Sequence, residues 1–149
     1  MRANCGVRNS GQRLAKFGLL LHEQKTRLIE FGKFVSERRE RRGQRRCETF
    51  AFLGFTHYCG RSRDGRFVVK RKTECRRLTA KLKEVYAVAL RRMHAPIRDQ
   101  HSWLAAVLRG HYAYYGLPSN YRSLHAFYRQ VCRLWYRVLR RRGQKNRLT

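Results

Sequence analysis

The chain has 149 residues and carries 36 Lys and Arg against 9 Asp and Glu, a formal net charge of +27. That length allows one domain with a real core, and a hydrophobic fraction of 42% argues against wholesale disorder. So large a charge calls for a polyanionic partner, nucleic acid before any other, while no segment approaches the roughly 18 apolar residues of a membrane span. The opening MRANCGVRNSGQRL has no apolar signal core, which points to the cytoplasm.

The cysteines Cys5, Cys47, Cys59, Cys75 and Cys132 are odd in number and form no CxxC pair. Reduced thiols are expected, with neither a disulfide framework nor a zinc knuckle. His57, Cys59 and Cys75 could in principle share a metal, but their spacing does not support it, so no metal and no cofactor are expected.

Residues 1–11 show no periodicity and are expected to be disordered. Arg13 to Phe17 closes a helix stopped at Gly18. Leu19 to Leu21 and Arg27 to Phe31 read as short strands around a polar turn at His22 to Lys25. Ser36 to Arg46, nearly free of apolar residues, reads as a solvated loop. Phe50 to Tyr58 (FAFLGFTHY) and Phe67 to Lys70 form a hairpin across the turn residues GRSRDGR.

After Thr73 the hydrophobic period changes from two to 3.6. Leu78, Leu82, Val85, Ala89 and Met93 mark a helix ended by Ala95-Pro96. Trp103, Leu104, Val107, Leu108, His111, Tyr112 and Tyr115 mark a second, closed by Gly116 and Pro118. A third starts with Ser119 or Asn120 as N-cap and runs to about Arg142, before Gly143. The fold class is therefore α+β: a small antiparallel hairpin region followed by a three-helix unit.

At 100° per residue, Leu124, Phe127, Tyr128, Val131, Leu134, Trp135 and Val138 share one face of the third helix. Arg122, Arg129, Arg133, Arg137 and Arg140 fall opposite them, in a line about 27 Å long. No acidic residue interrupts the helix from Tyr121 to Arg142, so like charges stack without relief. That cost points to an external anion rather than a solvated face. The segment RGHYAYYGLPSN (Arg109 to Asn120) adds rings that either stack on unpaired bases or brace the core. Candidate RNA contacts are thus Arg71, Lys72, Arg76, Arg77 and Lys81 at the entry to the helical half, then Arg109, His111 and Tyr114, and finally the arginine line with Arg141.

Catalytic chemistry is not visible. The only aspartates, Asp64 and Asp99, sit in separate loops, whereas a two-metal nucleotidyl transferase needs clustered carboxylates. HExxH, GxSxG and a phosphate-cradling loop are lacking too.

LLLHEQKTRLIEFGKF (Leu19 to Phe34), ETFAFLGFTHYCGRSRDGRFVVKRKT (Glu48 to Thr73) and RGHYAYYGLPSNYRSL with FYRQVCRLWYRVLRRRGQKNRLT (Arg109 to Thr149) together resemble the C-terminal part of bacterial group II intron-encoded reverse transcriptase/maturase proteins. The resemblance implies that residues 12–72 are the end of the palm, with Lys25 of the "KT" pair near the incoming nucleotide. It further implies that Phe52, Leu53, Gly54 and Phe55 form a primer-gripping hairpin, and that 73–149 are the thumb, or domain X, which binds the intron RNA and assists its folding and splicing. The family's catalytic aspartates lie upstream of the matching region, and an HNH endonuclease region, where members have one, lies downstream. No catalytic residue and no enzyme activity are therefore expected of this chain alone. Glu23-Gln24 and Ala51 depart from the family pattern. A separately encoded finger-palm chain that completes a split polymerase is the alternative partner, and a decayed gene remnant the alternative without function.

Overall fold

The computed structural model describes residues 12–22, 26–44 and 47–142. Two compact units meet in sequence between Thr49 and Phe50. The hairpin expected within 12–72 and the helices expected over 73–149 fall in the same compact unit. The expected disordered start, the remainder of the His22–Lys25 turn with Lys25 itself, and the stop at Gly143 lie outside the described residues.

In the first unit, a helical turn over 12–15 ends with Gly18 at φ 69. The two short strands expected at 19–21 and 27–31 do not form; the described residues there are irregular. Their apolar β-formers have no ladder to join, and a strand is stable only when another shares its hydrogen bonds. The expected loop over 36–46 is mostly helix: α1 spans Lys33–Arg41. Glu and Arg are good helix formers even without an apolar stripe, so hydrophobic period alone misses this element. Arg39 fastens it, reaching Glu30 at 3.5 Å and Glu48 at 3.7 Å. No residue of α1 is buried.

The second unit opens with a three-stranded antiparallel sheet, β1 (Phe50–Phe52), β2 (Phe55–Arg61) and β3 (Phe67–Thr73), in that order. FAFLGFTHY, expected as one strand, is two. Phe52 pairs with Phe55, leaving Leu53 and Gly54 as a two-residue turn with φ 48 and 76. Positive φ at both positions is the primed turn whose twist suits a tight hairpin; Leu is an unusual occupant, which hid the turn. β2 and β3 pair from Phe55↔Thr73 to Arg61↔Phe67, three residues further than the sequence alone suggests.

Three helices follow: α2 (Cys75–Arg91), α3 (Ile97–Tyr115) and α4 (Tyr121–Arg140). Pro96 sits immediately before α3, where its missing N–H costs nothing, so that helix starts nearly two turns earlier than its apolar residues suggest. α4 stops two residues short of Arg142, whose guanidinium donates to the carbonyls of His94 and Ala95. Val85, Leu104, Phe127 and Val131 are buried together at the centre of the three helices, with Leu78, Leu82, Trp103, Val107 and Trp135 around them.

Gly116 closes α3 because nothing larger fits: a Cβ there would lie 2.4 Å from the Tyr112 carbonyl. Neither expected N-cap of α4 caps it. Asn120 makes no side-chain cap bond; its Oδ1 accepts from the Thr73 N–H, and its Nδ2 donates to Thr73 Oγ1 and the Tyr115 carbonyl. Ser119 Oγ donates to the Arg71 carbonyl and accepts from the Arg71 N–H. Both polar side chains are spent on stitching the end of β3 to the α3–α4 elbow. The sheet is seated from the other side by Phe55, whose ring lies 6.0 Å from Tyr114 and 5.2 Å from Tyr115.

Candidate nucleic-acid interface

The apolar side of α4 faces the core through Phe127, Val131 and Val138, so the opposite side must face out. Arg122, Arg129, Arg133, Arg137 and Arg140 are all exposed there. Among the described residues, no carboxylate lies within ion-pair distance of any of the five. Arg140 rests over the ring of Tyr136 at 5.8 Å. Arg141 follows at the C-cap, also exposed.

Apart from this line, α2 and α3 leave a cleft of about 520 Å³ between them. It is lined by Arg77, Lys81, His111 and Tyr114 among others, and opens because Ala80, Ala106 and Gly110 present little side chain. No α4 residue lines it, so the cationic candidates divide between two surfaces. Lys81 is already engaged, at 2.8 Å from Glu84. Arg71, Lys72 and Arg76 are exposed at the β3–α2 junction, with the Lys72 ammonium 5.8 Å from the Tyr58 ring. Arg109 is exposed on α3.

His111 is mostly buried at the edge of the α2–α3 cleft. It is 6% exposed, and its ring stacks on Phe127 at 3.8 Å with 19° between planes. Burial first, and the Lys81 ammonium second, hold its pKa below the ordinary 6.5. Its ring thus packs on Phe127 while its edge borders the cleft. Tyr114 is 56% exposed, yet its hydroxyl donates to the Leu53 carbonyl at 3.0 Å and so braces the hairpin tip. Of the hairpin residues, Phe52 and Leu53 are exposed and Phe55 is buried under the tyrosines. His57, with its ring stacked on Phe50 at 4.7 Å, joins no metal-binding group; among the described residues no three His, Cys, Asp or Glu side chains gather.

Comparison of the chain with protein-family models, with curated proteins and with solved structures finds no match. No described helix is long and apolar enough to cross a membrane.

Sequence reasoning also missed residues. Tyr128, expected on the core face, is 46% exposed. Tyr121 and His125 stack on each other at 6.1 Å, and with Tyr112, Leu124 and Tyr128 they line a second cleft of about 350 Å³. Their spacing of four and three along α4 was visible, but it flanks the apolar stripe and merges with it in a helical projection. Gln100 was missed as well. Buried, it donates to the Met93 and Ala95 carbonyls and accepts from Trp135 Nε1, which fixes the α2–α3 connection.

Proposed function

We propose that this chain is an RNA-binding domain of the maturase type, related to the thumb of group II intron-encoded proteins, which holds intron RNA and favours its splicing-competent fold. It acts by binding and not by chemistry. The observation that carries the reading is the exposed arginine line of α4, free of carboxylate partners among the described residues. Five like charges on one face raise the free energy of the isolated helix, and phosphates remove that cost on contact. Guanidinium groups also meet phosphate in a bidentate manner, which orients the RNA as well as attracting it.

The test is the salt dependence of RNA binding. Replacing Arg129, Arg133 and Arg137 with Gln lowers the log–log slope by about two, at roughly 0.7 for each phosphate left unneutralised on a single strand. An unchanged slope removes the α4 face from the interface.

A second reading has one observation in its favour. None of the described residues of 12–49 is buried, as expected of a segment whose apolar residues await a partner such as a separate finger-palm chain. Co-purification of this chain with such a polypeptide, and polymerase activity only in the pair, would establish that reading.

A further inference from the structure

The second cleft differs in kind from the arginine line beside it. Tyr121, His125, Tyr128 and Tyr136 follow one another on α4 at steps of four, three and eight residues, which places them along one strip of the helix. That strip lies between the core face and the arginines. Tyr112 of α3 closes it from the side, so the cleft is walled by rings from two helices. Tyr121 is 69% exposed and Tyr112 is 37% exposed. Rings buried for packing alone would not be left so open to water, because their apolar area would be stabilising inside.

We propose that this cleft receives an unpaired nucleobase from an RNA strand whose phosphates lie along the arginine line. This rests on the RNA-binding reading above and adds to it the form of RNA: single-stranded rather than duplex. Charge complementarity selects the occupant. The nearest charges on α4 are Arg122 and Arg129, each one residue from a ring of the cleft, and an acid-free helix suits a polyanion. Aromatic walls then select within polyanions, since bases can reach them only when unpaired, whereas duplex RNA hides its base faces in the stack. The pair of Tyr121 and His125, with 17° between ring planes, offers a flat surface ready for a third ring.

The full chain is tested with two probes, an unstructured single-stranded RNA holding one 2-aminopurine and a blunt RNA duplex of equal length. Replacing both Tyr121 and Tyr128 with Leu keeps apolar area but removes stacking. The expected result is a loss of about tenfold or more in single-strand affinity, with 2-aminopurine quenching abolished and duplex affinity changed less than about twofold. Tyr121→Leu alone, at an exposed position, shows a smaller loss in the same direction and serves if the double variant fails to fold. Equal loss on both probes, or none on either, overturns the proposal while leaving the RNA-binding reading intact. A wild-type chain that binds neither probe overturns both. Unchanged RNA binding with loss of self-association in sedimentation would overturn it in favour of a second copy as occupant.

Discussion

Two buried polar residues, Asn120 and His111, tie the second unit together in opposite ways. Asn120, 1% exposed, satisfies an N–H and a hydroxyl at the end of β3 and a carbonyl at the end of α3. Each of those groups would cost about 1–3 kcal/mol if left buried without a partner. His111 has no such network: its Nε2 is buried without a hydrogen-bond partner among the described residues. A buried imidazole of this kind is tolerated neutral and resisted as a cation. Its lowered pKa therefore favours the fold above pH 6.5, and that contribution is lost as pH falls from 6.5 through the lower folded value. Urea unfolding should accordingly show wild-type stability dropping below pH 6.5. His111→Phe, which keeps a ring against Phe127, should show less of that drop. Parallel pH profiles for the two would mean that His111 is not the titrating group.

Among the elements, legibility followed whether a segment's pattern and its partners agreed. α2, α3 and α4 were readable because their apolar residues recur at three and four and all meet in one core. The β2–β3 hairpin was readable from GRSRDGR, whose Gly65 takes φ 75. α1 was not, because its seven polar and charged residues out of nine carry no stripe. The split between β1 and β2 was hidden because Leu53, at φ 48, stands where Asn or Asp is usual. Ser119 and Asn120 have the right chemistry for caps, and only tertiary contact with β3 shows that they serve otherwise. The surface strip Tyr121–His125–Tyr128 was hidden for a related reason: a tyrosine has the same signature whether it packs or stacks. The unit boundary has a direct consequence. No described residue of 12–49 is buried as a whole, while 50 onward holds the core. Limited trypsin digestion should first cut the basic stretch around Arg38 to Arg42, then leave a resistant fragment starting near residue 47. A resistant fragment starting instead near residue 73 would mean that the sheet is not part of the helical unit.

On the scale of the whole molecule, the net charge of +27 sets folding against the RNA binding proposed above. Along Arg129, Arg133 and Arg137, each guanidinium that attracts phosphate also repels a neighbour four residues away. Arg133 has two such neighbours, Arg129 and Arg137, and no acid to offset them among the described residues. At about 0.2–0.5 kcal/mol per like-charge pair, Arg133→Gln should stabilise the free protein by roughly 0.4–1 kcal/mol. For a chain of this size that corresponds to about 1–4 °C in Tm at low salt. The gain should shrink as salt screens the repulsion, while RNA affinity of the same variant falls. Opposite signs in the two measurements would identify the arginine line as a surface maintained for its ligand against the preference of the fold. A variant that loses stability along with affinity would instead assign Arg133 a packing role, and the charge of α4 would need another explanation.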